Sequence, residues 1–160
     1  KNFLTSKEIL NIVQSYLNTN SVSINAAFFI SNPLEISKET KYQNAQYFHW
    51  DNDFRKFLKL YIYLNDVDEY SGPHVFVKNT HKQKNRNHKL CRLYSDNQIY
   101  EKYSESNIVK FTGDSGSTFF VDSYGIHKAE VPTKKSRILL NVHFGVGKIM
   151  YTKGDISINL

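Results

Sequence analysis

The sequence predicts a mainly β domain, an antiparallel sandwich or jelly roll with one helix on its N-terminal flank. Three observations carry that expectation. Tyr and Phe each occur 11 times against four Ala, and aromatic and β-branched side chains suit a pleated surface better than a helix. One stretch of helical period opens the chain, and short apolar segments bounded by turn residues follow it. With 160 residues the chain is long enough for one sizeable core and too short for two typical ones. Residues 1–160 are therefore read as a single domain.

The elements follow in order. Thr5-Ser6-Lys7-Glu8 is a capping-box pattern, with the Thr5 hydroxyl and the Glu8 carboxylate satisfying the opening backbone donors. Ile9, Leu10, Ile12, Val13, Tyr16 and Leu17 then recur at helical spacing, which predicts a helix from Ser6 to Asn18. Ala26 to Ser31 reads as a short strand ended by Asn32-Pro33. From Phe57 to Leu64 the period is two: Leu58, Leu60, Ile62 and Leu64 share one face, and Lys59, Tyr61 and Tyr63 the other. That pattern predicts a strand covered on both sides. Further strands are expected at His74 to Val77, Ser117 to Val121, Tyr124 to Ala129 and Ile138 to Phe144, with a short helix from Ser95 to Tyr103.

Composition excludes several classes. Hydrophobic residues make up 40% and charged residues 22%, which is globular rather than disordered. Apolar runs reach about five residues, against the roughly 20 needed to span a bilayer, so no membrane partner is expected. The chain opens at Lys1 with no basic-then-apolar leader, the expectation being a fragment or a processed form. One cysteine, Cys91, rules out an internal disulfide framework and a thiolate-rich metal site, so a soluble cytoplasmic domain is expected. Formal charge is +6, from 21 basic and 15 acidic side chains. Lys78, Lys82, Lys84, Arg86, Lys89 and Arg92 account for the whole excess within one acid-free stretch. A solvated basic loop is the plain account of it; an anionic small-molecule substrate is the functional one. No nucleic-acid-binding signature accompanies the charge, so a nucleic-acid partner is not expected.

Four residues stand apart from plain packing. In an extended segment residues i and i+2 point the same way, so His49 and Asp51 converge while Trp50 points elsewhere. An imidazole with a carboxylate suits Fe(II), Mn(II) or Zn(II), although such a pair also arises as ordinary hydrogen bonding. His127, far along the chain, supplies the second histidine of a 2-His-1-carboxylate face, which leaves coordination positions open. Arg137 opens the strand ten residues later, and its guanidinium can grip a carboxylate bidentately. The order reads as three ligands plus an anchor for a dicarboxylic cosubstrate. Ser117, Ser123 and Cys91 have no base-and-orienter arrangement for nucleophilic catalysis. His81 and His88 read as loop histidines, and His74 and His143 lack a partner at ligand spacing.

His49-Trp50-Asp51, then Leu64-Asn65-Asp66-Val67 with Ser71-Gly72-Pro73, then Asn79-Thr80-His81-Lys82, resemble the phytanoyl-CoA dioxygenase-like family of iron(II)/2-oxoglutarate oxygenases. Gly113-Asp114 ahead of an apolar strand, His127 and Arg137 resemble the same family's distal half, so the likeness runs from about Gln46 to Phe144. The resemblance implies a double-stranded β-helix (jelly-roll, cupin-like) core. It implies Fe(II) bound by His49, Asp51 and His127, and 2-oxoglutarate held by Arg137 through its distal carboxylate. The implied activity is that of a dioxygenase using O2. It hydroxylates a small-molecule or carrier-linked substrate and releases succinate and CO2, with no catalytic residue beyond the metal ligands. A non-catalytic jelly-roll domain holding a metal or ligand is the alternative. Three features depart from the family's pattern: Trp50 where Gln is common, a compact interval from Asp51 to His127, and a short N-terminal part. Retention of Asp51 argues against the related halogenases, which put a small residue there.

Overall fold

The computed structural model describes residues 3–33, 45–51, 56–82 and 93–146. Helix α1 (Lys7–Leu17) and helix α2 (Asp96–Lys102) flank nine strands. These are β1 (Ser23–Ser31), β2 (Phe48–His49), β3 (Phe57–Tyr63), β4 (His74–Val77), β5 (Leu93–Tyr94), β6 (Ile108–Phe111), β7 (Thr118–Val121), β8 (His127–Ala129) and β9 (Arg137–Gly145). They form two sheets, one of four strands ordered β1-β9-β3-β7 and one of five ordered β5-β2-β8-β4-β6. Every paired neighbour is antiparallel. This is the jelly roll that the sequence predicts.

Side-chain alternation sorts the layers. Leu58, Leu60 and Ile62 point out of the four-stranded sheet and pack with Val142 and Phe144 against Ile9, Val13 and Leu17 of α1. Truncating Leu60, which is fully buried, to alanine would cost about 2–5 kcal/mol. Lys59, Tyr61 and Tyr63 alternate to the inner face, and all seven residues of β3 are buried, as the two-sided pattern requires. On the far side Val75 and Val77 of β4 point outward to Phe48, Ile126 and Ile99 of α2. Tyr61, Tyr63, Val67, Val121 and Leu139 fill part of the space between the sheets. Tyr63 also ties the sheets together: its hydroxyl donates to the Phe111 carbonyl at 2.8 Å and accepts from the His74 amide at 3.1 Å.

Several expectations need correction. Ser6, not Thr5, is the N-cap of α1, its hydroxyl accepting from the Ile9 amide at 3.4 Å, because Phe3–Thr5 is already a 3-10 turn. The strand expected from Tyr124 covers only His127–Ala129, since Asp122 accepts from the Gly125 amide and closes a turn there. Strand β1 starts at Ser23, three residues before the apolar run, through its full pairing with β9. Strands β5 and β6 went unpredicted, because Leu93–Tyr94 is too short to show a period and Ile108–Phe111 mixes partly buried and exposed positions. The second helix is as expected, with Ser95 and Gln98 completing a capping box. His88, Cys91 and most of the basic stretch lie outside the described residues.

Candidate metal centre

The His49-x-Asp51 segment leaves the five-stranded sheet beside β8, where His49 lies directly opposite His127. Their rings stand 4.3 Å apart between centroids. Beyond β2 the chain is held by the Asp51 amide, which donates to the Ser123 carbonyl at 2.8 Å. That single tie couples the first half of the site to the turn that delivers the second. Trp50 points the opposite way, is buried, and packs on Tyr124 at 5.5 Å, so it fills core rather than site.

The three donor groups meet. His49 Nε2 lies 3.6 Å from Asp51 Oδ1 and His127 Nε2 lies 3.5 Å from Asp51 Oδ2. One ligand atom from each residue lies within 4.8 Å of the others. His49 Nδ1 faces the Tyr47 carbonyl at 2.9 Å and His127 Nδ1 faces the Gly125 carbonyl at 2.8 Å. A carbonyl accepts only, so each Nδ1 carries a proton and each Nε2 is the nitrogen turned toward the carboxylate. This is the arrangement a histidine needs to ligate through Nε2 with its other nitrogen oriented by the backbone. The donor set of two imidazoles and one carboxylate fits a borderline divalent ion such as iron.

Electrostatics support the same use. Burial pushes the His127 imidazole down to about 3, so it is neutral and able to donate its lone pair. For Asp51 burial alone would favour the acid form, yet the Lys59 ammonium beside it holds its carboxyl well below the usual range. Lys59 donates to Oδ2 at 2.6 Å and fixes the plane of the carboxylate.

Arg137 opens β9, is buried, and lines the same cavity of about 280 Å³ as His49, Asp51 and His127. Its Nη1 donates to the Gly72 carbonyl at 2.5 Å and its Nη2 to the Ser31 hydroxyl at 3.2 Å, while Nε has no partner among the described residues. Gly72 adopts φ +75°, and a Cβ there would meet the Glu130 carbonyl and Pro132 at 2.7 Å. The Ser71-Gly72-Pro73 turn thus holds the guanidinium from below.

The remaining motif residues are supports. Asn65 accepts from the Ile138 amide at 2.7 Å and donates to the Ser136 carbonyl at 2.8 Å, bracketing Arg137. Thr80 donates to the Val77 carbonyl at 2.7 Å and accepts from the Ile126 amide at 2.8 Å, which pins the residue before His127. Tyr61 and Lys59 line the cavity, whereas Tyr63 is core. Asn32 accepts from the Ser136 hydroxyl at 2.8 Å, beside Arg137 but not among the cavity's lining residues. Two polar lining residues, His74 and Asn141, escaped sequence reasoning: His74 has no ligand spacing to betray it, yet its ring sits 5.4 Å from that of His127.

A two-sheet jelly roll thus brings two histidines, a carboxylate and a buried arginine to one cavity, a donor set of the kind that suits a non-haem divalent metal. The chain matches the family model of phytanoyl-CoA dioxygenase over residues 2–138 and belongs to that family. Solved structures agree in fold. AviO1 from Streptomyces viridochromogenes Tue57 is 16% identical with a TM-score of 0.56, over 91% of this chain and 60% of its own. The non-haem monooxygenase ThoJ is 13% identical with a TM-score of 0.63, over 99% and 60%. EvdO2 from Micromonospora carbonacea var. aurantiaca, solved with 2-oxoglutarate, is 12% identical with a TM-score of 0.60, over 98% and 64%. The chain thus spans roughly three-fifths of the length of these relatives. Comparison with curated proteins returns no match. Family membership brings with it iron(II), 2-oxoglutarate and oxygen as the cofactor set, and the donor groups described here suit it.

Proposed function

We propose that this chain is an iron(II)- and 2-oxoglutarate-dependent dioxygenase that hydroxylates a small-molecule or carrier-linked substrate. His49, Asp51 and His127 would hold the iron, and Arg137 would take the distal carboxylate of 2-oxoglutarate. When bound, the metal and cosubstrate supply the oxidation, with 2-oxoglutarate converted to succinate and carbon dioxide.

The protein's own part is positional. The Nε2 atoms of His49 and His127 and an ionised Asp51 present one face of ligands, and Nε of Arg137, which has no partner among the described residues, is a donor open to an acceptor. The buried walls keep water from the reacting groups. The single observation that carries the reading is the convergence of His49, Asp51 and His127 within 4.8 Å on a cavity that Arg137 also lines. Charge in the cavity walls and the basic stretch favour a substrate bearing carboxylate or phosphate, and the lone cysteine keeps a cytoplasmic location as our assignment. No helix among the described residues is long and apolar enough to cross a membrane.

Succinate formation from 2-oxoglutarate without added substrate tests this directly. We expect slow, iron-dependent turnover that His49→Ala or Asp51→Ala abolishes. Metal binding with neither 2-oxoglutarate affinity nor succinate would instead identify a non-catalytic jelly-roll domain.

A further inference from the structure

Among the described residues, three that line the cavity carry a buried polar atom with no hydrogen-bond partner there: Nε of Arg137, Nε2 of His74 and Oδ1 of Asn141. Leaving such atoms unpaired in a fold is costly, and native structures rarely do it without a ligand or water to complete them. Arg137 has its use already. His74 and Asn141 do not.

Strand register places both between the ligand cluster and Arg137. Lys59, which reaches Asp51, lies opposite His143 on β9; one step along, Tyr61 lies opposite Asn141, and Tyr63 lies opposite Leu139. Arg137 follows on the same strand face as Asn141. From the other sheet, the His74 ring stands 5.0 Å from Tyr61 and 5.4 Å from His127. His74 and Asn141 therefore come from opposite sheets and border the stretch that any molecule spanning from the ligand cluster to Arg137 must cross.

We infer that His74 and Asn141 are binding residues for the 2-oxo acid end of the cosubstrate, an inference that rests on the dioxygenase reading above. An imidazole N–H and a side-chain amide, turned to present its NH2, both donate to carboxylate or oxo oxygens. Neither contributes charge, so they fix the orientation of a group whose charge the metal and Arg137 balance. A leucine of similar volume at either position keeps the packing and removes the donor.

Binding of 2-oxoglutarate to the manganese-loaded protein, followed by calorimetry, is the test, with manganese affinity and thermal midpoint measured alongside. His74→Leu and Asn141→Leu should each weaken 2-oxoglutarate about tenfold, the loss expected when one hydrogen bond to a charged group goes. Manganese affinity should stay within about twofold, a shift of only ~0.4 kcal/mol, and the thermal midpoint should not fall. His74→Gln, which retains a donor, should recover most of the loss. Unchanged 2-oxoglutarate affinity in both leucine variants, with Arg137→Leu weakening it, would overturn this inference and spare the dioxygenase reading. Loss of manganese affinity or of stability in step with 2-oxoglutarate would show a packing role instead. A wild-type protein that binds no 2-oxoglutarate would overturn both.

Discussion

At the candidate metal end of the cavity, the ligands ride on β2 and β8, strands of two and three residues, whereas at the other end Arg137 opens the nine-residue β9. Strand β9 is paired along both edges, with β1 and β3, so its register is fixed many times over. Strand β2 meets β8 at the single His49–His127 pair, and β8 pairs with β4 over only three residues. That short pairing is supplemented by side-chain and turn hydrogen bonds from Thr80, Ser123 and Gly125. One end rests on long pairing within its sheet and the other on short pairing plus individual tethers, so the two should fail differently.

Removing one tether at each end sharpens that contrast. Thr80→Val leaves the Ile126 amide and the Val77 carbonyl without their partner, at a cost of about 1–3 kcal/mol. Because it frees the residue before His127, metal affinity should fall by roughly tenfold or more, as for loss of an outer-shell support. Asn65→Leu at the Arg137 end strips the Ile138 amide and the Ser136 carbonyl of theirs, with a similar stability cost of about 1–3 kcal/mol. Metal affinity should nonetheless stay near wild type, since β9 keeps its register. Denaturant midpoints and metal titrations of the two variants check both statements; equal metal loss in each would erase the contrast.

Acid sensitivity of the cavity histidines gives a smaller effect. Burial pushes His127 down to about 3 and holds His74 well below the usual histidine range, so both stay neutral in the fold. Once unfolded they protonate near their ordinary value of about 6.5. Below that pH the unfolded chain binds more protons than the folded one. Stability of the metal-free protein is therefore whole above about 6.5 and declines as pH falls toward 3. Urea midpoints at successive pH values should show this decline, and His74→Leu should flatten it.

Much of this was legible in the sequence because the signals were local. Period two over Phe57–Tyr63, the Ser71-Gly72-Pro73 turn and the i, i+2 placement of His49 and Asp51 each need only a few residues. Strand β4 and the partner His127 were also found, since an apolar run and a short turn precede it. Strands β5 and β6 were invisible because pairing with β2 and β4, not local pattern, makes them strands. His74 and Asn141 escaped for the same reason: each is unremarkable along the chain and acquires a role only when two sheets face each other. The support given by Asn65 and Thr80, both reaching far along the chain, could be quoted as motif but not explained until the fold was known.

A crystal structure of the protein soaked without oxygen in iron(II) and 2-oxoglutarate puts the central claim to its most direct test. The ion should sit on His49 Nε2, the Asp51 carboxylate and His127 Nε2, with the far carboxylate of the cosubstrate on the Arg137 guanidinium. Iron bound elsewhere, or a cosubstrate whose far carboxylate does not reach Arg137, would contradict the account.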